Sequence, residues 1–318
     1  MKSSSSAIDV TLSIVNTNNR DLLKRCLDTI ASSVGRLRHE IIVVDNASTD
    51  GSADLVRAAY PHVRLIENDQ RDGYGRCHNR AIRASRGDYV LILNEDMEMV
   101  GPAVERMVQI ARRVPDLGVL GCRILNADGT LQHSCFREPT LGSELFEALL
   151  PCTVAFGRSS IRSKMYDWPH DQQREVDVVV GCCMLVPRHV IDLVGPFDPD
   201  FFIYSEEHDL CRRVRDRRLK VVFTPHAEMV HFGGQTTRRM SLRMALVQLD
   251  SRIRYFRKHH GRGEALLFRA ILALAASVRL TGWAALYLTR RRRDEQVAGK
   301  LTEHSASLKF VLGLARAI

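Results

Sequence analysis

Four short runs near the start of the chain are apolar almost without interruption: "VTLSIV" (10–15), "EIIVV" (40–44), "VRLIE" (63–67) and "YVLIL" (89–93). A strand with one wet face alternates polar and apolar side chains, so runs this continuous need cover on both faces. The cover is encoded between them. "RDLLKRCLDTIASS" places Leu22, Leu23, Cys26, Leu27 and Ile30 on one helical face, and residues 52–59 and 75–85 also read as helices. Strands alternating with helices imply an α/β fold, a parallel sheet flanked by helices. Ligands of such sheets bind beyond the carboxyl ends of the strands. The polar residues gather there, at 16–19, 45–50, 68–75 and 94–96.

The second half is more mixed. "GVLGCRILNADGTLQHSC" reads as two strands around Asp128–Gly129, "LGSELFEALL" as a short helix, and "VDVVVGCCMLV" (176–186) as a single run. A helix is expected from near Ser205, a strand at 220–224, a glycine loop at 231–237 and helices thereafter. The 318 residues, 45% hydrophobic, supply ample core. The N-terminal "MKSSSSAIDVTLSIV" lacks the long apolar stretch of a secretory signal, so a cytoplasmic catalytic domain is expected. Eight cysteines without a CxxC pair suit buried thiols better than bridges or a zinc site.

Asp45 ends the second run. In a dinucleotide-binding fold it would hold the ribose, but that requires GxGxxG after the first strand, where "NTNNR" stands instead. "GYGRCH" (73–78) has two of the three glycines, after the third strand. The NAD(P) oxidoreductase reading is therefore set aside. "NED" (94–96) ends the fourth run in charge, and unpaired buried charge is costly. Mg²⁺ and Mn²⁺ take oxygen ligands and bridge carboxylates to substrate phosphates. Asp96 suits the metal, and Asn94 a sugar hydroxyl or a metal-bound water; such acids also serve as plain caps. "YSEEHDLCRRV" has Glu206, Glu207 and Asp209 at a helix start, where the dipole favours acids, or where one of them acts as a general base. His231, before two glycines, is a candidate second ligand or a structural histidine.

Six segments, in order, resemble the inverting nucleotide-sugar glycosyltransferases of family 2: "SIVNTNN", "VVDNASTDGS", "DGYGRCHNRAI", "LILNEDM", "VGPFDPDFFIYSEEHDLCRRV" and "HFGGQTT". The resemblance spans roughly residues 8–237. It implies a GT-A fold, with a Rossmann-like, mostly parallel sheet flanked by helices and a C-terminal helical segment. Residues 8–125 would be the nucleotide-sugar-binding half and 126–237 the acceptor-binding and catalytic half. It further implies transfer, with inversion, from a UDP- or dTDP-sugar to a lipid-linked or polysaccharide hydroxyl in cell-surface glycan synthesis. Asn16, Thr17, Asn18, Asp45, Asn46, Gly73, Tyr74, Asn79, Asn94 and Glu95 would bind the donor, with Asp45 on the base N3–H. Gly181, Cys182 and Glu206 would meet the acceptor. Asp96 and His231 would hold the divalent cation, Mg²⁺ or Mn²⁺. Glu207 would be the base, with Asp209 as the alternative. Thr17 stands where the family commonly has an aromatic residue, and Glu207 where it usually has Asp. The rival function is a non-catalytic nucleotide-sugar-binding module on the same fold.

The net charge of +9 is local. Between 238 and 293 there are fourteen Lys/Arg against Asp250 and Glu264, so the remainder is slightly acidic. Within residues 238–318, "ALLFRAILALAASVRLTGWAALYLTRRRR" is apolar but interrupted by Arg269 and Arg279, which share one side of a helix. Trp283, Tyr287 and Arg290–Arg293 suit the level of anionic headgroups. A helix lying on the inner face of the membrane is expected, against a helix packed on the protein or a true span. "RIRYFRKHHG" loosely resembles the rhamnosyltransferases of the family. Nucleic acid is not expected as a partner, because no reading motif accompanies the basic residues.

Overall fold

The computed structural model describes residues 8–149, 163–233, 242–289 and 295–315. The N-terminal serines, Gln235–Thr237 and Arg290–Arg293 lie outside them. The chain divides into two compact units.

The first unit comprises residues 8–138, 164–202 and 206–233 among those described. Its elements begin β1 (Val10–Asn16), α1 (Arg20–Ser33), β2 (His39–Asp45), α2 (Ser52–Ala59), β3 (Arg64–Glu67), α3 (Tyr74–Ala84), β4 (Tyr89–Asn94) and β5 (Met97–Val100). They continue with α4 (Ala103–Ala111), β6 (Leu117–Leu125), β7 (Leu131–Gln132) and β8 (Cys135–Phe136). After α5 (Leu141–Leu149), which groups with the second unit, come β9 (Arg174–Glu175), β10 (Val178–Val179), β11 (Cys183–Pro187), α6 (Arg188–Val194), α7 (Glu206–Asp216) and β12 (Lys220–His231).

The main sheet runs β3-β2-β1-β4-β11-β6-β12-β5. The first four strands are parallel, with Asn16 opposite Asp45 and Val15 opposite Asn94. Alternate side chains explain the continuous apolar runs. Val10, Leu12, Ile14, Ile41, Val43, Leu91 and Leu93 pack on α1 and α4. On the other face Ile42 and Val44 meet Cys77 and Ala81, while Val90 and Ile92 meet Ile82, Leu210 and Val214. The polar residues inside β1 are satisfied: Thr11 Oγ1 donates to Glu40 and Ser13 Oγ lies 2.7 Å from His78 Nδ1.

Two departures from the expected strands build the site. The run 176–186 breaks at Gly181 into β10, which pairs with β8, and β11, which enters the main sheet antiparallel between β4 and β6. An antiparallel strand starts where its parallel neighbours end, so Gly181 and Cys182 arrive at the carboxyl ends. The strand expected at 220–224 continues to His231 as β12. Pro225 cannot donate to the ladder, and the register against β6 shifts between Thr224 and Glu228. Beyond that bulge β12 pairs with β5, setting His231 opposite Met97. All seven cysteines among the described residues are buried free thiols.

The second unit holds α5 with α8 (Leu242–His259), α9 (Gly261–Thr289) and α10 (Glu295–Val311). Gly261, at φ 88°, allows the turn from α8 to α9, and Phe256 stacks on Phe268 at 4.3 Å. Arg269 and Arg279 face inward, not toward headgroups: Arg269 donates to the Val311 carbonyl at 2.6 and 2.9 Å, and Arg279 to that of Ala148 at 3.2 Å. Partly buried guanidinium groups gain from acceptors, and helix C-terminal carbonyls need donors. The opposite side exposes Leu266 (65%), Leu267 (58%), Leu274 (51%) and Val278 (56%).

Candidate active site

β1, β2 and β4 bring Asn16, Asp45 and Asn94 to one edge of the sheet. Chain order reverses between β1 and β4, the place where sheets of this kind bind their ligands. Asn16 is fully buried, its Nδ2 donating to Ser48 Oγ at 3.1 Å and its Oδ1 without a partner. Asp45 accepts from the Ser48 backbone N–H at 3.2 Å, and burial pushes its carboxyl above the ordinary value.

Several expected donor-binding residues brace this edge instead. Asn46 donates to the Asp72 carbonyl and accepts from the Asp72 N–H and Asn68 Nδ2. Asn18 accepts from the Thr49 N–H at 2.7 Å, and Thr17 beside it is partly exposed. Asn79, expected beside the ribose and phosphates, spends both amide groups on the Phe197 backbone, at 2.7 and 3.0 Å. Gly73 is required by close approach, since a Cβ there would stand 2.6 Å from the Phe202 carbonyl oxygen. Tyr74 follows at the start of α3. Its hydroxyl lies 2.9 Å from Asn94 Oδ1 and 3.0 Å from the Gly181 carbonyl, tying α3 to β4 and to the β10–β11 connection.

At the end of β4 the Glu95 carboxylate accepts from Asn19 Nδ2 at 2.5 Å, and burial, then the charge of Asp96, raises it to about 7. Glu95 thus fastens the β1–α1 loop to β4. Asp96 Oδ1 is buried, has no hydrogen-bond partner and lies 3.1 Å from His231 Nε2. Nδ1 of the same ring is 2.7 Å from Gln132 Oε1, and Asn94 Nδ2 approaches Nε2 at 3.5 Å. A carboxylate oxygen and a ring nitrogen that converge in this way, with the Asn94 amide beside them, suit a small cation. Among the described residues no group of three or more His, Cys, Asp and Glu could hold one. Asp96 and His231 therefore form an incomplete set, the kind Mg²⁺ or Mn²⁺ completes with substrate phosphates and water.

α7 supplies the third corner. Glu207 is partly exposed, 3.3 Å from His208 Nδ1, and its Cβ would touch a Cβ placed on Gly181. Burial works to raise Glu207, but the His208 ring outweighs it and leaves the carboxyl below the ordinary glutamate value. Glu206 is buried with Oε2 unpartnered, and burial, then the charge of Glu207, holds its carboxyl well above the ordinary value. Asp209 is fully buried against Arg213 at 2.9 Å, and Arg213 also binds the carbonyls of Val194, Gly195 and Pro196. That fastening gives Asp209 a structural position. The Cys182 thiol is raised first by burial and then by Asp96 among other neighbours, Glu207 included, so both carboxylates act on one residue.

The sequence profile of "Glycosyl transferase family 2" matches residues 11–167. The chain is 28% identical over 283 residues to the N-acetylglucosaminyl-diphospho-decaprenol L-rhamnosyltransferase of Mycobacterium tuberculosis, covering 82% of this chain and 89% of that one. Its fold is similar to that of the mannosyltransferase PcManGT from Pyrobaculum calidifontis, solved with GDP-Man and Mn²⁺ (TM-score 0.52, 19% identity, 98% of this chain and 90% of that one). It is also similar to GalNAc-T7, solved with UDP, GalNAc and Mn²⁺ (TM-score 0.54, 15% identity, 79% and 51%).

Proposed function

Since the chain carries a glycosyl transferase family 2 domain on the GT-A fold, we propose that it moves a sugar from UDP or dTDP to a hydroxyl of a lipid-linked or polysaccharide acceptor, with inversion. The supporting observation is that Asp45 and Asp96 stand at the carboxyl ends of β2 and β4, while Asp96 and Glu207 both act on the buried Cys182 thiol where β11 enters the sheet. Asp45 accepts the base N3–H, which favours uracil or thymine. Gly73 lets α3 start against the Phe202 backbone and so sets Tyr74 on the donor side. Asp96 and His231 hold the divalent cation, which when bound supplies neutralisation of the departing diphosphate. Glu207 takes the proton of the acceptor hydroxyl as its oxygen bonds the anomeric carbon; the bond from that carbon to the diphosphate oxygen breaks on the opposite face. A single displacement inverts the carbon and leaves no covalent intermediate on the chain.

The acceptor reading is joined to a membrane one. Residues 261–288 of α9 are long and apolar enough to cross a bilayer, an 18-residue stretch within them having mean hydropathy 1.6. With both arginines turned into the helical unit, the exposed leucines suit shallow burial in an anionic cytoplasmic leaflet, aided by the basic residues around them. The relative in M. tuberculosis is named for a lipid-linked sugar acceptor.

The test is a panel of UDP- and dTDP-sugars with and without Mn²⁺. The cognate donor at 100 times its Kd adds about 2.7 kcal/mol of stability. EDTA and Asp96→Asn remove that gain and the transfer. Full turnover in EDTA together with a fully active Asp96→Asn enzyme sinks the metal site.

A further inference from the structure

Gln132 has no part in the donor, cation or base sets above, yet it makes the shortest hydrogen bond to His231. It sits on β7, two residues beyond the turn at 126–130. Four hydrogen bonds link that turn to the imidazole, and their polarity is fixed from one end. The Asp128 carboxylate, exposed and held below the ordinary aspartate value first by the Thr130 hydroxyl, accepts from Thr130 Oγ1 at 2.6 Å. A hydroxyl has one hydrogen, so Thr130 Oγ1 must accept from Asn126 Nδ2, at 2.9 Å. Asn126 Oδ1 then faces Gln132 and accepts from its Nε2, at 2.9 Å. Only Oε1 of Gln132 is left for His231 Nδ1, at 2.7 Å. The ring nitrogen on that side must carry the hydrogen.

We infer that Gln132 is a positioning residue that fixes His231 as the Nδ1–H tautomer, so that the Nε2 lone pair faces Asp96. This rests on the reading of Asp96 and His231 as cation ligands. The physical reason is general: a ligating histidine needs its other nitrogen engaged by an acceptor, which sets tautomer, ring angle and basicity. Without the acceptor the ring is free to turn and to exchange tautomers. Asn94 Nδ2, aimed at Nε2 from 3.5 Å, agrees with an acceptor at that nitrogen. Asp96 Oδ1, buried without a hydrogen-bond partner 3.1 Å away, agrees with a cation between the two.

The experiment uses the full chain and Mn²⁺ as probe. Binding is read by electron paramagnetic resonance with and without UDP or dTDP, and the metal-free ring by ¹⁵N-histidine NMR. Gln132→Leu removes the acceptor; Gln132→Glu keeps it. Losing such an outer partner typically costs about 10–100-fold in metal affinity. That loss is expected in Gln132→Leu, with melting temperature and metal-free nucleotide affinity unchanged, while Gln132→Glu stays near wild type. Gln132→Asn, one methylene too short, should also weaken Mn²⁺ and serves if the Leu variant fails to fold. The wild-type spectrum should show His231 Nδ1 protonated, and Gln132→Leu should lose that signature. Wild-type protein that binds no Mn²⁺ overturns the cation reading and this one together. Wild-type protein that binds it, with Gln132→Leu binding equally well or with Nδ1 unprotonated, overturns this proposal alone.

Discussion

Glu206, Glu207 and Asp209 are three acids within four positions, and their surroundings alone separate them. Glu207 is partly exposed and its carboxyl is held below the ordinary value by His208; Glu206 turns inward and burial holds its carboxyl well above the ordinary value; Asp209 is tied to Arg213. Glu207→Gln should lower turnover by about 10²–10⁴-fold and leave donor affinity intact. Asp209→Ala should instead cost about 3–5 kcal/mol of stability, read by urea unfolding, because it strands a largely buried guanidinium. If Asp209→Asn binds donor and fails to turn over while Glu207→Gln is active, the base is two residues away from Glu207. A second residue-scale effect lies beneath the site. His78 is fully buried, and burial lowers its imidazole to about 3. The folded ring stays neutral where the unfolded one, near 6.5, takes a proton. Its contribution is complete above the unfolded value and is lost as pH falls toward the folded one, by up to about 1.4 kcal/mol per pH unit. His78→Gln should flatten the pH dependence of the melting temperature between 6 and 4; an unchanged slope excludes it.

Among the elements, the start of α3 is the most constrained. Tyr74 N–H donates to the Phe202 carbonyl at 2.8 Å, which draws the Phe202 backbone against Gly73. Gly73→Ala forces that backbone apart, a strain of about 1–3 kcal/mol in a packed interior. It also moves Tyr74, whose hydroxyl joins Asn94 to Gly181. Donor affinity should therefore fall along with melting temperature, whereas Gly299→Ala, with open space around it on α10, should leave donor affinity unchanged. Equal nucleotide binding by wild type and Gly73→Ala would show that α3 does not set the donor side.

For the whole molecule the basic charge and the apolar helix belong to one region, and the test of their purpose is a membrane. Leu267→Glu with Leu274→Glu, both on the exposed side of α9, should abolish flotation with anionic vesicles while a water-soluble acceptor is still glycosylated at the wild-type rate. High salt should weaken wild-type binding only in part, since headgroup attraction is screened and apolar insertion is not. Binding that survives both glutamates assigns the exposed face to another partner.

The α/β architecture, the carboxyl-edge site and the acids at 45, 96 and 207 were legible in the sequence because each depends on local pattern: strand periodicity, a polar residue ending an apolar run, acids opening a helix. The antiparallel entry of β11, the continuation of β12 past Pro225 and the inward turn of Arg269 and Arg279 were not, since strand partners and carbonyl acceptors lie far away in the chain. The same holds for Asn79 and Gln132. An amide side chain carries no sign of its partner, and only the folded chain sets Asn79 against Phe197, 118 residues on, and Gln132 against His231, 99 residues on. Sequence determined which polar residues end the strands and open α7; tertiary packing decided which of them stay accessible and which hold the site in shape, because burial and hydrogen-bond partnership are properties of the assembled sheet.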